Sequence, residues 1–425
     1  MEESVNEEKR KKNQVTKFPV PFSVDETNQY ININTNNFHP KLSNKQLVKK
    51  AVNLHLKGNL QAAARYYQDC IDRGIDDARV YSNYGTILKD LFKLKAAEIL
   101  TRKAIRLDPN LAMAHNNLGN ILKEQGNIEE AELSIREAIK IDPKIPLAHS
   151  NLALILKSTG KSKEAEIYQK KALEIDPNSN TFFYYSGCLF ENNKYENILK
   201  NLENAIDLAE NEHEKAYIYS AMESTIIEKS SSINDSNIVE SEETNVLKDK
   251  KNKRLIINRP VEDKLLSHLY SIKKKALDDT GDIRYGDGFC YENFNFFEED
   301  TSSIISNFKN DIIKICKKEL GVQKIFISES FFNIFKSGSG ANPHTHIGER
   351  DEYFKLSKYK FSLIYYLDIG DQASSDPGIL KLTNPEENIL PVKGMLLIIG
   401  AGRKHSVSYK GNKDRVIIGT NFYGF

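Results

Sequence analysis

Residues 107–143 read LDPNLAMAHNNLGNILKEQGNIEEAELSIREAIKIDP, and the Leu/Ile-Asp-Pro that opens the stretch also closes it. The triplet returns once more, so that Pro109, Pro143 and Pro177 stand 34 residues apart. Other columns keep that step: Ala63, Ala97, Ala131 and Ala165; Ala104, Ala138 and Ala172; and Tyr84, Leu118 and Leu152, followed by Gly85, Gly119 and Ala153. Gly126 and Gly160 fall between the two halves of their units. Small alanines let two short antiparallel helices approach closely, and each Asp-Pro ends a second helix. One such unit cannot bury its apolar face alone, so units must stack into a solenoid.

This pattern resembles the tetratricopeptide repeat family over about residues 44–178. A degenerate fifth unit, FFYYSGCLFENNKYENILKNLENAIDLAE, extends the expected solenoid to 212. Asn83, Asn117 and Asn151 share one column on the first helix of their units. The resemblance implies that this column faces a groove where amides bond a bound peptide; the alternative is that the amides tie neighbouring helices together. Lys89, Lys123 and Lys157 form another column, for which a solvated rim is expected. Residues 158–162, STGKS, imitate the tail of a phosphate-binding loop. The glycine such a loop needs is Ile155 here, and the segment is a repeat turn after a helix, so that reading is rejected.

The chain has 425 residues, enough for two or three domains. It is 40% hydrophobic and 28% charged, an ordinary soluble mixture. Lys plus Arg number 60 against 59 for Asp plus Glu, a balance that gives no support to a nucleic-acid or anionic-membrane surface. Four cysteines without a CxxC pair argue against a disulfide framework or a zinc knuckle. No apolar run reaches the length of a membrane span, and the charged start MEESVNEEKRKKNQ does not read as a secretory signal, so a cytoplasmic protein is expected. Residues 1–43, with FPVPF at 18–22, are read as an N-terminal arm, and 213–253 as a capping helix plus a polar linker.

From 254 to 425 the texture changes. Leu265, Leu266 and Leu269 suggest one helix; Ile304, Ile305, Phe308, Ile312, Ile313 and Ile315 suggest another. Beyond 323 come short β-type runs, KIFISESFFNIF, KFSLIYYLDI, GMLLII, HSVSY and RVIIGTNFY, broken by Gly, Pro, Asn and Asp clusters, as in an antiparallel sandwich or barrel. Three of the nine histidines fall there, in Pro343-His344-Thr345-His346 and at His405. Residues i and i+2 of a strand point to one face, so His344 and His346 project together, and a neighbouring strand would bring His405 to them. Imidazole suits Fe, Cu, Zn and Ni, which leaves the metal open. A hairpin centred on Lys410-Gly411-Asn412 would set Arg415 opposite His405, on the same face. A metal beside a fixed guanidinium suits a chelating dicarboxylate.

FKSGSGANPHTH, the strand FSLIYYLDI, PGILKL, PVKGMLLII before His405 and finally DRVIIGTNF resemble, in order and spacing, the Fe(II)/2-oxoglutarate-dependent oxygenases, on the prolyl-4-hydroxylase-like side. The resemblance implies a double-stranded β-helix (jelly-roll) domain with flanking helices, placed after an all-α solenoid in a multidomain α + β chain. It implies that His344 and His405 bind Fe(II) and that Arg415 grips the distal carboxylate of the cosubstrate 2-oxoglutarate, with O2 as co-reactant. Two further cosubstrate candidates are softer: Tyr366 faces either the lumen or the core, core packing being the preferred reading, and Asn421 is a candidate for lining the pocket. The family usually has His-x-Asp, and His346 stands where that carboxylate belongs. Three options stay open: His346 ligates, Glu349 supplies the carboxylate, or the site has lost its chemistry. Phe335 occupies a place where related enzymes often have a cosubstrate tyrosine, and Asn333 is either a pocket or a strand-edge residue. The expected function is a hydroxylase-type dioxygenase carried on a module that binds a protein or peptide. The alternatives are a non-catalytic scaffold with a degenerate jelly roll, or a three-His metal oxygenase that does not use 2-oxoglutarate.

Overall fold

The computed structural model describes residues 42–57, 59–233, 254–280, 295–335 and 339–425. The expected arm up to residue 41 with FPVPF, the linker residues 234–253, Cys290 and the stretch 336–338 before the His motif lie outside the described residues. The described residues up to Ile75 and those from Asp76 onward form two compact units. In the first, α1 (Asn44–Leu56) and α2 (Leu60–Asp72) form a helical pair that buries Leu47, Ala51, Ala63, Tyr67 and Cys70. Ser43 and Gln46 close a reciprocal capping box at the start of α1, which satisfies two of its orphan amides.

The second unit opens with four pairs of antiparallel helices. They are α3 (Ala78–Asp90) with α4 (Leu94–Leu107), α5 (Ala112–Glu124) with α6 (Ile128–Ile141), α7 (Pro146–Ser158) with α8 (Ser162–Ile175), and α9 (Ser179–Glu191) with α10 (Ile198–Asp207). The alanines at 97, 131 and 165 and at 104, 138 and 172 are buried, and Asp108, Asp142 and Asp176 cap the second helices as the Asp-Pro spacing predicts. An ion-pair ladder repeats with the same period: Arg102 joins Glu98 to Glu130, and Arg136 joins Glu132 to Glu164. A long helix, α11 (Glu212–Ile233), follows. Among the described residues no helix is long and apolar enough to cross a membrane.

The rest is an antiparallel β region. Its strands are β1 (Leu255–Asn258), β2 (Ile325–Phe335), β3 (Ser339–His344), β4 (Lys360–Ile369), β5 (Pro377–Leu382), β6 (Glu387–Ile389), β7 (Met395–Gly400), β8 (His405–Tyr409) and β9 (Arg415–Gly424). One sheet has the order β1-β7-β4-β9-β2, the other β3-β8-β5-β6. Side-chain alternation divides the five-stranded sheet cleanly. Leu363, Tyr365, Leu367, Val416 and Ile418 pack on helices α12 (Asp263–Thr280), α13 (Phe296–Glu299) and α14 (Ser303–Leu320), through Leu265, Leu269, Phe296, Ile305, Phe308 and Ile312. From its other face Phe335, Tyr366, Leu397, Ile399 and Ile417 meet Leu380, Leu382, Ile389 and Tyr409 of the four-stranded sheet.

The expected hairpin is not formed. β8 pairs with β3 and β5, while β9 pairs with β4 and β2, so Lys410-Gly411-Asn412 carries the chain from one sheet to the other. Two-residue periodicity places a side chain on a face but does not say which strand lies beside it, and here the apolar runs of β2 and β4 claim both edges of β9.

Candidate metal centre

β3 and β8 are antiparallel neighbours with His344 and His405 in register. His346 lies just past the end of β3, where its amide N–H donates to the Ala401 carbonyl (2.9 Å). The three rings converge: centroids are 4.5 Å apart for His344–His405 and 5.0 Å for each of the other two pairs. One nitrogen from each lies within 4.8 Å of the others. Burial, reinforced by the neighbouring imidazoles, pulls His346 down to about 2, with Lys360 adding to it; burial and His344 pull His405 down to about 4. At neutral pH both rings are therefore uncharged, the form that ligates metal.

The partners of the His405 and His346 rings fix their tautomers. His405 donates Nδ1–H to the Arg403 carbonyl (3.0 Å), which leaves the Nε2 lone pair facing the cluster. Asn421 donates its amide N–H to His346 Nδ1 (3.1 Å), so the proton of that ring sits on Nε2, 3.3 Å from His405 Nε2. The Asn421 amide is itself held by the Glu329 carboxylate and by the Ser362 hydroxyl, which donates to Oδ1 (2.7 Å). Glu329 and Asn421 are register partners on β2 and β9. Sequence reasoning missed Glu329 and Ser362. The available signal was a lone glutamate within the apolar β2 run, on the same face as Phe331 and Asn333.

The cavity beside the imidazoles is about 90 Å3 and lies between the sheets. Phe331, Asn333 and Phe335 of β2, Ser362, Leu363, Ile364 and Tyr366 of β4, and Arg415, Ile417 and Asn421 of β9 line it; all but Leu363 keep the two-residue step of a strand. His405 and Arg415 thus share a cavity from opposite sheets. Arg415 is 1% exposed, donates from Nη1 to the Gly378 carbonyl (2.5 Å) and lies 5.1 Å from the Tyr366 ring centroid; among the described residues its Nε has no hydrogen-bond partner. Gly378 has a left-handed φ of +77°, and a Cβ there would run into the guanidinium. Burial lowers the Arg415 pKa and raises the Tyr366 hydroxyl to about 12.

Glu349 does not join the cluster. It lies in the 3-10 segment Glu349–Lys358 and pairs with Lys123 of α5 (3.3 Å). The asparagine column also departs from the groove expectation: Asn117 donates to Ser82 Oγ (3.1 Å) and Asn151 to Asn116 Oδ1 (2.9 Å), so both amides tie one repeat to the preceding one. Asn83 is half-buried in the same column of α3. Nor are Lys123 and Lys157 only a solvated rim, although Lys89 makes no more than partly exposed pairs with Asp90 and Glu124. Lys123 holds Glu349, while Lys157 pairs with Glu191 (2.8 Å) and sits 3.5 Å over the Tyr353 ring.

Residues 78–111 and 147–179 match one tetratricopeptide repeat model and 112–145 another, so this stretch consists of tetratricopeptide repeats, which supports protein or peptide binding. No curated protein matches the sequence. Similar solved structures include a tetratricopeptide repeat protein of Thermus thermophilus, with 14% identity, 42% of this chain and 99% of that chain covered, and a TM-score of 0.39. Pseudomonas aeruginosa pilF has 19% identity, covers 44% of this chain and 84% of its own, and scores 0.38. A mutant O-GlcNAc transferase of Thermobaculum terrenum has 25% identity, covers 31% and 26%, and scores 0.30.

Proposed function

We propose that residues 254–425 form a jelly-roll Fe(II)- and 2-oxoglutarate-dependent oxygenase of hydroxylase type. The observation that carries the reading is a cluster of three imidazoles and a buried guanidinium in one cavity between two antiparallel sheets. The chain alternates between those sheets through β7, β8 and β9, which supports the jelly roll. The donor set fits a divalent metal that accepts imidazole: the rings of His346 and His405 are held neutral, and the His405 tautomer already offers Nε2. For His346 to ligate through Nε2, its proton must move to Nδ1. Rotation of the Asn421 amide would present Oδ1 to that proton, with Ser362 turning from donor to acceptor and the bond to Glu329 given up.

The cavity has room for roughly six to nine water-sized groups, the scale of a small dicarboxylate. Arg415 would take the distal carboxylate, a charge-assisted partner for the Nε that has none among the described residues. Ferrous iron, when bound, supplies the chemistry that couples decarboxylation of 2-oxoglutarate by O2 to hydroxylation of a substrate C–H bond. The protein's own part is to hold the cosubstrate between Arg415 and the histidines and to exclude water with Phe331, Ile364, Leu380 and Ile417. The tetratricopeptide repeats add a surface for a protein partner. The test is succinate release from 2-oxoglutarate by the full chain with Fe(II) and O2. The reading expects turnover that vanishes in His405→Ala; equal succinate from parent and variant would contradict it.

A further inference from the structure

The segment that leaves the histidine cluster ends up against the repeats. Glu349 pairs with Lys123 of α5. Arg350 donates to Asn180 Oδ1 of α9 (2.7 Å), lies 3.4 Å from the Tyr184 hydroxyl, and stacks over the Tyr217 ring of α11. Tyr353 and Phe354 are fully buried. The Tyr353 ring lies so close to Gly187 of α9 that a Cβ at that position would overlap it, and Phe354 packs 5.3 and 5.1 Å from Phe183 and Phe190. Phe354 and Lys355 both take left-handed backbone (φ 54° and 55°), and Ser224 of α11 donates to the Phe354 carbonyl (2.5 Å). Consecutive non-glycine residues hold that conformation only where their surroundings over-determine it. Lys123, Lys157, Asn180 and Gly187 all belong to first helices of their repeats, so one face of the solenoid receives the segment.

The other side of the segment is tied to the metal centre. Asp351, fully buried, accepts from the Gly348 amide (2.7 Å), from Lys360 Nζ (2.9 Å) at the head of β4, and from the Tyr423 hydroxyl. Burial works against the Lys360 charge, but Tyr217, Asp351 and Glu329 outweigh it and hold the ammonium above its ordinary value. Tyr423 stands two residues beyond Asn421, the residue at His346 Nδ1. The loop that starts at His346 is therefore pinned by β9 on one side and by α9 and α11 on the other.

We infer that the first-helix face of the repeats is the receptor for the chain's own segment Glu349–Lys358, and that this docking positions His346 within the cluster. Arg350 and Tyr353 are then positioning residues that act through the loop. The ligand this face takes is an acidic-aromatic peptide, Glu-Arg-Asp-Glu-Tyr-Phe, supplied in cis. The metal arm of the inference rests on the reading proposed above; the docking arm does not.

The experiment uses the full chain as Gly187→Val, Tyr353→Ala, Tyr353→Phe and Arg350→Gln, with two readouts: hydrogen exchange of peptides covering 344–354, and cobalt(II) affinity. Gly187→Val and Tyr353→Ala should speed exchange in 344–354 by about tenfold or more, while amides of α6 keep their protection. Their cobalt(II) affinity should fall by about 10- to 100-fold. Tyr353→Phe should match the parent in both readouts, because the Tyr353 hydroxyl is buried and has no partner among the described residues. If Gly187→Val does not fold, Arg350→Gln carries the same expectation with a smaller amplitude. Unchanged exchange at 344–354 in Tyr353→Ala and Arg350→Gln overturns the docking, and faster exchange with unchanged cobalt affinity overturns the positioning of His346. If the parent binds no cobalt, the metal reading fails and exchange alone decides the docking.

Discussion

His344 and His405 are register partners on β3 and β8, with ring centroids 4.5 Å apart. Strand pairing rather than loop geometry thus fixes two of the three imidazoles, and removal of one leaves the sheet intact. His344→Ala and His405→Ala should each weaken divalent-metal binding by at least about 100-fold, more than the usual effect of losing an orienting partner. Isothermal titration with cobalt(II) checks this; parent-like affinity in either variant would contradict it.

Glu349 and His346 compete in sequence for the role of third ligand, and the structure separates them. Glu349 is engaged with Lys123, a partly exposed pair worth about 1 kcal/mol or less. Glu349→Gln should therefore bind cobalt(II) as the parent does, and His346→Ala should not. A tenfold loss in Glu349→Gln would return the carboxylate to the site.

Substitution of Arg415 separates the proposed metal site from the proposed cosubstrate site. Arg415→Ala should retain the metal and lose about 10- to 100-fold in 2-oxoglutarate affinity, the worth of hydrogen bonds to a charged group. Arg415→Lys should recover only part, since an ammonium lacks the planar fork. Competition binding against the parent decides; unchanged cosubstrate affinity would remove Arg415 from the site.

The helical repeats and the antiparallel β region were legible in the sequence. The 34-residue step placed the helices because close packing of small residues leaves little freedom in where a repeat begins. The two-residue step set His344 and His346 to project together, and their rings converge with that of His405. What it could not convey was pairing between distant segments. That β8 and β9 lie in different sheets depends on which strands compete for their edges. That Lys157 meets Tyr353 depends on a contact nearly two hundred residues away in sequence. The short strands β1 and β6 escaped notice because three or four residues carry too little alternation to stand out. Glu329 carries no sequence signal of its contact with Asn421, because that bond depends on the pairing of β2 with β9.

Alkaline pH should weaken the second unit. Burial raises the thiols of Cys188 and Cys316 from 9.0 to about 12. The native state therefore keeps protons that the unfolded chain gives up. The stabilisation is complete below the unfolded thiol pKa and is lost as pH rises towards 12, about 1–2 kcal/mol per thiol at pH 10. The urea midpoint should fall between pH 8 and pH 10, and in Cys316→Ser it should fall less. A midpoint that holds or rises would contradict the burial argument.

The measurement closest to the central claim is an anaerobic titration of the full chain with Fe(II) and then 2-oxoglutarate, followed by visible absorption, with His405→Ala and Arg415→Ala alongside. The account predicts a charge-transfer band that appears on adding 2-oxoglutarate to the iron-loaded parent and is absent from both variants. Iron binding without any band in the parent, or a band of equal strength in Arg415→Ala, would contradict it.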